Sequence, residues 1–170
     1  GYHLSPLHRD TLHKINPTRL CKHYTAGDYY FGCLSGFAQH LDGASSGHPD
    51  LTRQQANTSL MMAIPPSLVI GGAGDYSSFV CVQPQGAGYV RLKYGLMFYG
   101  DGWDDAVVRE AVELGKATIA EDRLALAGVQ KGMASKFYKP GPLAPADYEG
   151  NILDFFHYLG RMLLPALQER

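Results

Sequence analysis

Strand-like apolar runs bounded by turn residues fill the middle of the chain, and then the period changes. Residues 59–99 carry four strand-like runs, SLMMAI, SLVIGGA, SSFVCVQP and GYVRLKYGLMFYG. They are punctuated at Pro65-Pro66, Gly74-Asp75 and Gln85-Gly86-Ala87-Gly88, the spacing of an antiparallel meander. Upstream, Thr18 to Phe37 is rich in β-branched and aromatic residues and reads as one or two strands broken at Gly27-Asp28. Beyond Gly100-Asp101-Gly102 the pattern turns helical, with Asp101 as the expected cap. One stripe runs Val108, Val112, Gly115, Ile119, Asp122, Leu126, Val129, Met133 and ends near Ser135. KPGPLAP at 139–145 is a stiff linker. A final amphipathic helix follows, with Ile152, Phe155, Phe156, Leu159, Met162 and Leu163 on its apolar face. Strands first and helices after them predict an α+β domain with a long helix over an antiparallel sheet.

Two stretches break the pattern. The first fifteen residues hold three of the seven histidines without a clean period, and Pro6 favours a turn or helix start near Ser5. Residues 41–57, LDGASSGHPDLTRQQAN, read as a long polar loop of the kind that forms lids.

Composition narrows the function classes. At 170 residues the chain is one domain's worth, and 45% hydrophobic content argues against disorder. A net charge of -1 with no evident basic patch offers no field for nucleic acid. No apolar run approaches the roughly 18–20 residues of a membrane span, and no secretory signal is evident. Cys21, Cys33 and Cys81 are odd in number and widely spaced, which suits free thiols in a reducing, cytoplasmic setting.

The chemistry centres on a carboxylate where an apolar side chain is due. Asp122 lies on the helix stripe, and a buried carboxylate must be paired, hydrogen-bonded or bound to metal. An alternative stripe through Val107, Ala111, Leu114, Thr118 and Ala125 turns Glu121 inward instead. Its candidate partners are His3 and His8, spaced H-x4-H. Two imidazoles and a carboxylate are the ligand set of a non-haem Fe(II) facial triad. Five residues turn a straight helix by roughly 140°, so the two rings need the irregularity that Pro6 supplies. Zinc with a hydrolytic role competes for the same ligands, although no H-E-x-x-H is present. The spacing alone is weak, since His8 and His13 repeat it, and a metal-free module for hydrophobic ligands stays open beside both.

Other strings dissolve on inspection. Gly43-Ala44-Ser45-Ser46-Gly47 matches G-x-S-x-G but lacks the flanking strand and helix of a nucleophile elbow. Gly72-Ala73-Gly74 and Gly86-Ala87-Gly88 read as hairpin turns, not dinucleotide loops. Trp103 is expected to anchor the start of the long helix.

Two segments together carry a resemblance. GYHLSPLH followed by RDTL resembles the D-x-Y-H-x4-H segment of the large (alpha) subunit of Rieske-type aromatic-ring-hydroxylating oxygenases. AEDRLALAGVQKGMASKFYKPGPLAPADYEGNILDFFHYLGRML resembles that family's C-terminal segment, with an E-D pair, a helix, a Y-x-P-G-x-L turn and a terminal helix. The resemblance implies that His3, His8 and Asp122 are the ligands of a mononuclear Fe(II), and that dioxygen hydroxylates an aromatic or related apolar substrate there. It implies a helix-grip fold of the START and Bet v1 kind, with residues 1–170 as the catalytic domain. The substrate pocket would lie between the sheet and the 103–134 helix, lined by Phe37, Met62, Ile70, Phe79 and Leu96. It also implies a [2Fe-2S] Rieske cluster on a part absent from this chain, a ferredoxin or reductase partner, and a homotrimer or alpha3beta3 assembly at full length. Cys21-Lys22-His23 matches half of a Rieske motif, but Cys33 is followed by Leu34, Ser35 and Gly36, so the second half is missing. The acidic residue that precedes the family's histidine segment would fall just before Gly1.

Overall fold

In the computed structural model, residues 2–38, 48–74, 76–101 and 103–168 are described. Six strands form one antiparallel meander in chain order: β1 (Cys21–Gly27), β2 (Tyr30–Gly36), β3 (Thr58–Ile64), β4 (Leu68–Ala73), β5 (Tyr76–Pro84) and β6 (Val90–Phe98). Among the described residues there are also four α-helices: α1 (Leu12–Ile15), α2 (Arg53–Ala56), α3 (Asp105–Met133) and α4 (Ala146–Gln168). The architecture is α+β, as the order of periods predicts, and helix-grip-like, as the resemblance implies. Among the described residues no helix is long and apolar enough to cross a membrane. The three cysteines are free.

Local chemistry explains the boundaries. The β1–β2 turn falls at Asp28 and Tyr29, and Pro65-Pro66 separates β3 from β4. Gly86, at φ 139°, takes a backbone conformation that disfavours a side chain in the β5–β6 loop. Where the sequence predicts a plain loop over 41–57, Thr52 and Gln55 form a capping box and the single turn of α2. Residues 41–47 of that loop, with the G-x-S-x-G string, lie outside the described residues. The cap of α3 is Asp104 and not Asp101: its carboxylate accepts from the Ala106 amide at 2.6 Å. Trp103 does anchor this start, donating from Nε1 to the Tyr99 carbonyl at 2.8 Å and packing on Phe98.

Register sorts the sheet into two faces. Tyr24, Gly32, Met62, Ile70, Phe79 and Gly95 form one cross-strand row, and Leu34, Leu60, Gly72, Ser77 and Met97 lie on the same face. His23, Cys33, Met61, Gly71, Ser78 and Leu96 point the other way. α4 docks on this second face at β1 and β2, with Gly150 against the His23 ring.

The docking surface of α4 corrects the sequence reading. Asp147 accepts from Lys22 Nζ at 2.7 Å and from the His23 amide at 3.2 Å, and Asp154 meets His23 Nε2 at 2.7 Å. Gly150 and Tyr158 are buried on this side. The predicted apolar face instead turns outward, with Phe156, Met162 and Leu163 more than half exposed. The polar groups of β1 select the polar and small side of the helix, because a half-buried His23 without its carboxylate would cost more than an exposed apolar residue. The α3 stripe likewise holds only to its middle. Val108, Val112, Ile119 and Asp122 are partly buried, whereas Leu126, Val129 and Met133 are exposed.

The Asp147 contacts carry a pH signature. The Lys22 hydrogen bond, and after it the His23 amide, hold the Asp147 carboxyl below its ordinary value of 3.8. The unfolded chain therefore binds this proton more tightly than the folded one, and the contribution is full above 3.8 and lost as pH falls through the lower folded value. We expect Asp147→Asn to melt below the parent protein at neutral pH, with the gap closing in acid. A gap that stays constant across thermal melts from neutral pH into that range would contradict this.

Candidate metal centre

The N-terminal segment winds as successive turns and not as one helix. Residues Tyr2–Leu4 form a 3-10 turn, the Leu7 amide donates to the His3 carbonyl at 2.9 Å, and the His13 amide donates to the His8 carbonyl at 2.9 Å. This irregular path around an exposed Pro6 brings the His3 and His8 rings together, with centroids 5.1 Å apart and planes at 68°. A straight helix would have set them on different faces.

The middle of α3 meets this pair. His8 Nε2 lies 3.2 Å from Asp122 Oδ1, and His3 Nε2 lies 4.0 Å from the same oxygen. One ligand atom from each of His3, His8 and Asp122 falls within 4.8 Å of the others. Burial is unequal: the His8 side chain is 1% exposed, Asp122 39% and His3 59%. The group thus has a fixed inner wall at His8 and a solvent-facing side at His3. Local desolvation lowers the His3 pKa, which favours the neutral ring that can act as a ligand.

A fourth residue belongs to the arrangement. Glu121 Oε2 lies 2.7 Å from His8 Nδ1 and accepts from the Thr11 hydroxyl at 2.7 Å. The His8 hydrogen bond, then the one from Thr11, holds the Glu121 carboxyl below its ordinary range. Both acidic residues of the E-D pair therefore face His8, because the two alternative helix stripes meet it from adjacent positions. Sequence reasoning reached Glu121 only as a rival to Asp122. The signal was present in the second stripe, but periodicity treats the two as exclusive.

The expected pocket residues are brought together only in part. Met62, Ile70 and Phe79 share one cross-strand row, Leu96 projects from the opposite face, and Phe37 lies past the end of β2. A groove of about 620 Å³ does open on the Leu34, Leu60 and Met97 face, lined also by His48, Leu51 and Tyr99. Its lining includes none of those five residues and none of His3, His8 and Asp122.

The donor set has the chemistry of a transition-metal site: two imidazole nitrogens and one carboxylate oxygen, fewer ligands than such an ion takes, with one side toward solvent. Comparison with known proteins bears on what it serves. The family model described as ring hydroxylating alpha subunit (catalytic domain) matches residues 1–164. No curated protein matches the chain.

Proposed function

The chain belongs to the catalytic-domain family of ring-hydroxylating alpha subunits, and from that premise we propose that His3, His8 and Asp122 hold a mononuclear Fe(II) used with dioxygen to hydroxylate an aromatic or related apolar substrate. Family membership makes it an oxygenase domain acting on aromatic rings. The convergence of two histidines and one carboxylate from opposite parts of the chain is the observation that carries the assignment of the site.

Bound there, Fe(II) would supply the redox chemistry that activates dioxygen, which no side chain provides. The protein's own residues do the rest. His8 gives the site a rigid inner ligand because its ring is enclosed. Asp122 supplies the negative charge that offsets the cation, and His3 completes one face of ligands while leaving its own side accessible. Electrons are proposed to come from a Rieske [2Fe-2S] cluster and its ferredoxin or reductase, in an assembly of several subunits. The C-x-H string of this chain serves another purpose, since Cys21 Sγ meets Ser35 Oγ at 3.5 Å and His23 is paired with Asp154.

Metal analysis of anaerobically prepared protein tests the reading. The expected result is iron retained or taken up at one equivalent per chain. Protein that takes up no iron but binds an apolar ligand would replace the reading with a metal-free binding module, and tight zinc with hydrolytic activity would replace it with a hydrolase.

A further inference from the structure

His8 is a buried imidazole between two carboxylates, with Nδ1 2.7 Å from Glu121 and Nε2 3.2 Å from Asp122. A neutral imidazole has one N–H and one lone pair, so it can donate to only one of them. If the proton sits on Nε2, His8 donates to Asp122, and the nitrogen needed by a cation is consumed in a hydrogen bond within the ligand group. If it sits on Nδ1, Glu121 receives it and the Nε2 lone pair is left toward the Asp122 oxygen, free to be shared with a cation bound between them.

Resting on the metal-centre reading above, we propose that Glu121 is a positioning residue that holds the His8 proton on Nδ1 and so keeps Nε2 available as a ligand. The geometry favours this outcome in three ways. The Glu121 contact is the shorter of the two. Thr11 donates to the same Glu121 oxygen, which fixes the carboxylate from a second direction and leaves it an acceptor toward His8. Thr11 lies three residues from His8 and its amide donates to the His8 carbonyl at 3.2 Å, so ring, hydroxyl and carboxylate form one closed clasp between the N-terminal turns and α3. Carboxylate partners of metal-ligating histidines fix tautomer and ring orientation in this way, and their loss typically weakens metal binding by about 10–100-fold.

The test uses the parent protein, Glu121→Ala and Glu121→Gln, with two readouts. In metal-free protein, nitrogen-15 NMR of the His8 ring, followed upward in pH until the ring holds a single proton, reports which nitrogen carries it. The parent is expected to keep Nδ1–H. Glu121→Ala should move the proton to Nε2, facing Asp122. Glu121→Gln, whose amide oxygen still accepts, should keep Nδ1–H. In anaerobic Fe(II) titrations, Glu121→Ala should bind about 10–100-fold more weakly, with Glu121→Gln close to the parent. A Glu121→Ala protein that retains Nδ1–H, or that binds Fe(II) as the parent does, overturns the proposal, as does a Gln variant as weak as the Ala variant. A parent protein that shows the tautomer pattern but binds no Fe(II) leaves the clasp standing and removes the metal-centre reading instead.

Discussion

Asp122→Ala is expected to lose the proposed Fe(II) binding while keeping its fold. Asp122 is the sole carboxylate of the donor group, and one of its oxygens lies 3.2 Å from His8 Nε2 and 4.0 Å from His3 Nε2. Removing it leaves two neutral imidazoles with no charge to offset the cation, a loss greater than that of an outer partner, which alone costs about 10–100-fold. Fe(II) affinity should therefore fall by at least about 100-fold. Stability should not fall with it. The side chain is 39% exposed, it sits inside α3, and alanine has the higher helix propensity. Anaerobic titration and thermal melting of the metal-free variant check both halves. Stoichiometric iron retained in Asp122→Ala would put the metal elsewhere in the protein.

Gly32→Ala is expected to produce the largest loss of stability. Gly32 is buried in β2, paired with Tyr24 on one side and Met62 on the other. A Cβ there would collide with the Met61 carbonyl oxygen and come within 3.1 Å of Met62 Cα. Both are backbone atoms of a strand paired on both sides, so neither can swing away as a side chain would. Overpacking usually costs 1–3 kcal/mol, and a backbone obstacle places this substitution at about 3 kcal/mol or beyond. Gly72, on the same face, is the control, because a Cβ added there meets nothing within 4 Å. Gly72→Ala should unfold in urea near the parent's midpoint and Gly32→Ala well below it. Equal midpoints would show that the β2–β3 ladder adjusts more readily than its pairing implies.

Much of the scaffold was legible because it depends on neighbours in sequence. Alternation and turn residues mark the strands within a residue or two: SLVIGGA contains β4, and SSFVCVQP covers all but the first residue of β5. The helical period marks α3 to its end, since side-chain and backbone sterics act over three or four positions. His3, His8 and Asp122 were also legible as chemistry out of place. Glu121 was legible only as the rival inward carboxylate, because periodicity turns one of the two stripes inward and cannot show that His8 meets both.

By itself, then, the sequence determined the elements, their order and the residue types able to ligate a metal. Only the tertiary structure decided which way those elements turned. α4 presents Asp147, Gly150 and Asp154 to the sheet because β1 offers Lys22 and His23 there, so its apolar face lies outward against the rule its own periodicity suggests. Met62 and Leu96 part company because register places them on opposite faces. His8 is held between Glu121 and Asp122 because the N-terminal turns cross the middle of α3. Local sterics choose a conformation one segment at a time, whereas a face, a partner and a tautomer are properties of two segments in contact.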